Sequence, residues 1–312
     1  SEVNFAFVLD SSLPSDSRID RPIMILGTGR GGTTIFLEML GEHPDLAWFS
    51  NFTHRAKKEA FYPLAALSRI RDCPVLGNAL TYQSKFRPKP REANDLFRTL
   101  SRGVFNQPRL LEAADADEDQ VRYWRKAVKA HLRWHGKPRF LNKHTGFPRT
   151  DYFGRIFPDA KFIHVVRDGR AVANSYVNVP FWDGTVEGCW HWGPMEPAYK
   201  DEFESSGREP IVLAGILWKT LIGHIDAALA RVPKDQKIEV NYSHFSSNPE
   251  SVMEKVLDYT DLPHRPKFQK RIRKMEVHNA DVKWQKDLST KQKDLLMKTI
   301  GKELEQHGFL TQ

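Results

Sequence analysis

A chain of 312 residues with 40% hydrophobic and 28% charged positions is long enough to bury a substantial core, as one large α/β domain or two small ones. Its formal net charge of +8 favours an anionic partner (a nucleotide, a sulfated or phosphorylated substrate, nucleic acid or an acidic membrane) without choosing among them. Two cysteines, Cys73 and Cys189, are too few for a disulfide scaffold though enough for one bridge. No C-x-x-C or H-E-x-x-H metal spacing occurs, and no run approaches the ~18 apolar residues of a membrane span.

The first residues, SEVNFAFVLDSS, lack a basic start and an apolar core of signal-peptide length, and 1–20 reads as an N-terminal arm. Predicted elements then alternate along 21–312, taken as a single domain. Short apolar runs predict strands at Ile23 to Leu26, Leu46 to Phe49, Phe140 to Asn142, Phe162 to Val166 and Ile238 to Val240. Helical spacing falls between them, over Thr33 to Gly41, much of Asp95 to His135, Arg149 to Phe157, Gly169 to Val177, Leu213 to Ala230, Pro249 to Tyr259 and Ser289 to His307. The alternation predicts an α/β fold: a P-loop-like parallel sheet of about five strands covered by helices on both faces. The segment 51–139 is mostly helical and is expected to be an insertion after the second strand, on the acceptor side. Both N-x-[ST] sequons, at Asn51 and Asn241, directly follow strand-like runs. That placement disfavours glycosylation and leads to the expectation of a cytoplasmic protein.

The first strand runs into "ILGTGRGGTTIF", which fits three phosphate-loop templates. Gly27, Gly29 and Gly32 spell G-x-G-x-x-G, but a dinucleotide fold needs an acid at the end of the next strand to hold the ribose, and Asn51 stands there. Gly27 and Gly32 also frame a Walker loop, with Thr33 where the lysine should be. The third template takes Arg30, Gly31, Gly32, Thr33 and Thr34 as the working part, at a helix N-terminus suited to an anion. It requires a second clamp for a ribose phosphate, and "FIHVVRDGRAVANSY" supplies Arg167 at a strand end and Ser175 in the following helix.

The stretches "LGTGRGGTTIF" and "VVRDGRAVANSY" resemble the 5′-phosphosulfate and 3′-phosphate motifs of sulfotransferases that use 3′-phosphoadenosine 5′-phosphosulfate (PAPS), whose product is 3′-phosphoadenosine 5′-phosphate (PAP). "FLNKHTGFPRTDYFGRIFPDAKFIHVVRDGRA" is similar to the tyrosylprotein sulfotransferase branch, and "KWQKDLSTKQ" to the family's C-terminal half; across 53–137 the resemblance is thin. The resemblance implies metal-independent in-line transfer of a sulfuryl group to a hydroxyl or amine. It assigns Arg30, Thr33, Thr34 and the loop amides to the 5′ end, Arg167 and Ser175 to the 3′-phosphate, Tyr242 and Lys286 to the nucleotide, and Lys143 to the departing bridging oxygen. Tyrosylprotein relatives carry a glutamate about where Asn51 stands, and an amide cannot take a proton. His54 and His144 are the candidate bases in its place, with Glu59 a third titratable neighbour. His144 is one residue early for a histidine base near the strand-end lysine, a shift that turns a side chain to the opposite face.

The readings left beside this one are a P-loop small-molecule kinase and a non-catalytic nucleotide-binding module. The expected acceptor is a small molecule, carbohydrate or peptide, with no nucleic-acid partner. Asp115, Asp117 and Asp119 stand at calcium-loop spacing but lack the Gly and Glu such a loop requires. His131 and His135 share a helical face without a third ligand, so no metal is expected. Trp182, Trp190 and Trp192 are read either as an acceptor wall or as packing for a long loop.

Overall fold

A computed structural model describes residues 19–73, 84 and 86–310; most of the expected arm at 1–20, and part of the insertion, lie outside these residues. The five expected strands form one parallel sheet of order β2-β3-β1-β4-β5. β1 (Ile23–Gly27) is followed by α1 (Thr33–Leu40) and β2 (Leu46–Trp48). The insertion holds a 3₁₀ stretch at Glu59–Asp72, α2 (Asn94–Leu100) and α3 (Glu118–His135), and leads to β3 (Arg139–Thr145). Next come α4 (Thr150–Ile156), β4 (Lys161–Val166) and α5 (Gly169–Val177), then α6 (Val186–Cys189), α7 (Pro197–Ser205) and α8 (Pro210–Ala230). The chain closes through β5 (Lys237–Asn241), α9 (Tyr242–Ser247), α10 (Pro249–Thr260), α11 (Pro266–Ile272), α12 (Trp284–Asp287) and α13 (Thr290–Gln306).

Side chains alternate across the strands, and the alternation sorts the core into layers. Ile23, Ile25, Leu141, Ile163 and Val165 face one side with Phe36 and Leu40 of α1 and Met253 and Val256 of α10. Met24, Leu26, Phe140 and Phe162 face the other, against Phe97, Trp124 and Phe153 from the insertion and α4. A third cluster packs α5 on α8 and α13. α8 is apolar enough in length and composition to cross a membrane, but 67% of its apolar window is buried here as core.

Helix ends follow local chemistry. Asp117 caps α3 by accepting from the Gln120 amide at 2.7 Å, and Gly136, at φ 71°, ends it by donating to the carbonyls of Leu132 and Arg133. Asp117 therefore has a structural task, as does Asp115, which pairs with Arg109 at 2.6 Å.

The sheet order decides where a ligand goes. β1 lies between β3 and β4, so the connections reverse direction there and open a crevice at the carboxyl ends of the strands. Register places Ile25 beside Lys143 and Gly27 beside Thr145, which brings the end of β3 level with the glycine loop.

Candidate active site

The loop from Thr28 to Gly32 turns the chain from β1 into α1. Arg30 takes the left-handed conformation at φ 62° and Gly32 at φ 81°. At Gly32 the absence of a side chain is required twice over, because a Cβ there would also stand 2.1 Å from the Tyr242 ring. No side chain caps α1 and no acid sits in its first turn. Its N-terminal amides and dipole end are thus available to an anion.

The second motif meets the first at this loop. Arg167, directly after β4, donates from Nη1 to the Arg30 carbonyl at 3.0 Å, across 137 residues of chain. Arg30 in turn donates from Nε to Ser175 Oγ on α5 at 2.9 Å. The Arg167 guanidinium lies 4.8 Å from the Tyr242 ring centre, a stacking distance. Arg30, Arg167, Ser175 and Tyr242 are therefore one cluster. Its electrostatics include a carboxylate to which the sequence motifs assign no role: Asp281 accepts from Arg167 Nε at 2.7 Å and from the Ser243 hydroxyl.

At the end of β3 the Lys143 ammonium, 6% exposed, donates to Thr34 Oγ1 at 3.0 Å and pairs with Glu92 Oε2 at 3.0 Å. The other oxygen of Glu92, Oε1, accepts from the Thr145 amide at 2.7 Å and from the Thr145 hydroxyl at 3.0 Å. Lys143 thus bridges α1 to a half-buried carboxylate delivered by the insertion. The chain returning to the sheet places Glu92: Ser50 forms an antiparallel bridge with Pro90, and Arg91 donates its amide to the Phe49 carbonyl at 2.8 Å.

Asn51 holds that return in place. Its amide nitrogen Nδ2 donates to the Arg87 carbonyl at 3.3 Å, and its Oδ1 accepts from the Lys89 amide at 2.9 Å. A carboxylate could accept but not donate in this position. The same bonds leave the Asn51 sequon committed inside the fold, and Thr53 of that sequon is fully buried.

Among the base candidates, His144 lies apart from the Lys143 side of the site. It is buried on the face opposite Lys143, its ring 5.3 Å from that of Phe153, and among the described residues neither nitrogen has a hydrogen-bond partner. Burial first, then the charges of Arg149 and Lys143, push it down to about 3. His54 sits half-buried in the turn after β2, its Nδ1 3.0 Å from the Asn51 carbonyl. Glu59 is tied to Lys126 of α3 at 2.6 Å. Lys286 is exposed on α12, a turn anchored to α5 where Asn174 donates to Asp287 at 2.7 Å.

The remaining singled-out residues are structural. His131 and His135 are buried in the core, one near the Ala127 carbonyl and the other near the Trp48 amide. Arg271 of α11 pins the carbonyls of Glu42 and Arg71. Trp192 packs on Phe147 at 5.7 Å and Trp182 on Tyr176 at 5.1 Å, so these tryptophans pack the long loop. The cysteines are not bridged.

A model of the Sulfotransferase family matches residues 22–266, and the chain belongs to that family. It is an enzyme of the sulfuryl-transfer class. Among solved structures it is similar to sulfotransferase STF9 from Mycobacterium avium, at 15% identity over 93% of this chain and 78% of that chain, with TM-score 0.55. Sulfotransferase STF1 from Mycobacterium tuberculosis H37Rv gives 14% identity over 92% and 78%, TM-score 0.48. Mouse sulfotransferase SULT7A1 complexed with PAP gives 10% over 94% and 90%, TM-score 0.44. At such identities the M. avium likeness shows the shared fold alone. No curated protein matches the chain.

Proposed function

We propose that the protein moves a sulfuryl group from PAPS to a hydroxyl or amine acceptor by in-line displacement. The observation that carries this reading is the meeting of two distant motifs in one anion site, through Arg30 to Ser175 at 2.9 Å and Arg167 to the Arg30 carbonyl at 3.0 Å. A plain nucleotide triphosphate needs no arginine and hydroxyl so far down the chain. A 3′-phosphate does, and Arg167 and Ser175 are the residues to hold it, with Tyr242 beside them and Lys286 at the rim.

The 5′ end belongs to Arg30, Thr33, Thr34 and the uncapped amides of α1. Lys143, already bonded to Thr34, offers its ammonium where negative charge develops on the departing oxygen. Thr33 in the Walker lysine slot speaks against a kinase, in which that lysine holds the β- and γ-phosphates.

Calorimetric titration with PAP and with ATP, each with and without magnesium, tests the proposal. Tight binding of PAP that is indifferent to magnesium is expected. Magnesium-dependent ATP binding without PAP binding would establish the kinase instead. A non-catalytic nucleotide-binding module would bind PAP yet transfer no labelled sulfate from PAPS to any hydroxyl or amine in a screen.

A further inference from the structure

We infer that Glu92 is the general base of the transfer and that Lys143 holds it unavailable until the cosubstrate is bound; the inference rests on the PAPS reading above. Three observations converge. Glu92 touches Lys143 Nζ at 3.0 Å, and that same ammonium touches Thr34 in the first turn of the phosphate-loop helix. The carboxylate is therefore one side chain removed from the anion site.

Its orientation is fixed by Thr145. The amide donates to Oε1 at 2.7 Å, and the hydroxyl lies nearer Oε1, at 3.0 Å, than Oε2, at 3.2 Å. Oε2 is left with Lys143 as its nearer partner. A carboxylate meant only to neutralise a buried lysine gains nothing from having one oxygen pinned and the other directed at the ammonium.

Glu92 also comes from the insertion, the segment expected to shape the acceptor side. The position expected to carry a carboxylate instead carries Asn51, whose amide clamps the backbone at Arg87 and Lys89, just before Glu92. The two residues divide the work: the amide builds the turn and the acid it delivers takes the proton.

As the acceptor oxygen or nitrogen forms its bond to sulfur, Glu92 Oε2 takes the acceptor's proton. The bond from sulfur to the bridging oxygen breaks with its electron pair, which passes to the 5′-phosphate of the departing PAP beside the Lys143 ammonium. Glu92 then returns its proton to water. Lys143 serves both ends, since turning from Glu92 toward the bridging oxygen frees the Oε2 lone pairs as the leaving group gains a cation.

The test reads nucleotide affinity and acceptor dependence. Lys143→Ala leaves Glu92 unpaired beside the 5′-phosphate and is expected to weaken PAP at least 10-fold by calorimetry. Glu92→Gln alone binds PAP no more weakly than the wild type, and Lys143→Ala/Glu92→Gln recovers most of the lost affinity. With labelled PAPS, Glu92→Gln is expected to lose roughly 100-fold or more in kcat toward a neutral alcohol or phenol. Toward a phenol already ionised at the assay pH it loses less than about fivefold, because that acceptor has no proton to give. Formate restores part of the rate of Glu92→Ala on the neutral acceptor.

Equal losses on both acceptors, or no recovery of PAP affinity in the double variant, would overturn the inference while leaving the PAPS reading intact. A wild type that does not bind PAP at all would remove that reading first, and the inference with it.

Discussion

Arg167 and Asp281 form an ion pair with Nε to Oδ1 at 2.7 Å, and both side chains are less than 10% exposed. The pair joins the end of β4 to the segment before α12, so the same arginine that is proposed to meet the 3′-phosphate also ties down the C-terminal part of the site. A further donor, Nη1, reaches the Arg30 carbonyl. Replacing Arg167 by alanine strands a buried carboxylate, a change that costs about 3–5 kcal/mol where it has been measured. Arg167→Ala is expected to lose stability in urea titration, and Arg167→Ala/Asp281→Ala to regain part of it. In binding, the single variant should weaken PAP by roughly 100-fold, the loss of one or two charge-assisted hydrogen bonds, and weaken AMP by much less. Equal losses for the two nucleotides would show that Arg167 does not read the 3′-phosphate.

Glycine positions give a paired prediction from one substitution type. Gly32→Ala places a methyl 2.1 Å from the Tyr242 ring at a φ of 81°, so the loop or the tyrosine must move, and PAP binding is expected to be lost. Gly223 lies on the exposed side of α8 with an ordinary helical backbone, and a methyl added there would meet nothing within 4 Å. Gly223→Ala should raise stability by about 0.5–1 kcal/mol, the helix-propensity difference, and leave PAP affinity unchanged. Thermal melts and calorimetry on the two variants check both halves.

What could be read from the chain follows the range of the interactions. α5 occupies Gly169–Val177 as expected because its start is set locally: Asp168 accepts from the Arg170 amide at 2.8 Å. The strands were legible from short apolar runs, and the loop from its glycines, since both signals lie within a few residues of one another. Glu92 was not legible in this way. It lies 51 residues before Lys143, and only the bridge from Ser50 to Pro90 brings it there. Asp281 escaped for the same reason, as its partner Arg167 lies 114 residues earlier. The 3₁₀ stretch at Glu59–Asp72 falls inside the segment expected to be mostly helical, but its bounds were not legible because Pro63 interrupts its interior and the helical period is weak there.

A buried hydrogen-bond chain under the insertion offers a stability test away from the site. Trp124 donates to the Tyr152 hydroxyl at 3.0 Å, Tyr152 donates to Gln120 Oε1 at 3.1 Å, and Gln120 donates to the Ser101 carbonyl at 3.0 Å. The chain ties α4 to α3 and to the end of α2 through groups that are all inside. Tyr152→Phe removes the middle hydroxyl and leaves the Trp124 N–H and the Gln120 carbonyl without a partner. At about 1–3 kcal/mol for each of the two buried groups left unsatisfied, the variant is expected to lose about 2–6 kcal/mol in urea unfolding. A loss below about 0.5 kcal/mol, the size of an ordinary surface change, would mean the network contributes nothing net.

Three buried histidines outside the site make the fold sensitive to acid. Burial pushes His131 down to about 4 and, with smaller contributions from nearby charges, His135 and His144 to about 3. Each is neutral when folded and titrates near 6.5 when unfolded. Below pH 6.5 the unfolded chain therefore binds protons that the folded chain refuses, and stability falls as the pH drops from 6.5 toward 4; above 6.5 these groups contribute no slope. The loss approaches about 1.4 kcal/mol per pH unit for each histidine, so roughly 2 kcal/mol apiece between pH 7 and pH 5. His131 is the one to replace, since its ring packs edge-on to Phe49 at 4.7 Å and its Nε2 has no hydrogen-bond partner among the described residues. His131→Leu should melt less differently between pH 7 and pH 5 than the wild type, by roughly the 2 kcal/mol assigned to that one histidine if it acts independently of the others. A pH dependence identical to the wild type's would show that His131 is not a source of the acid sensitivity.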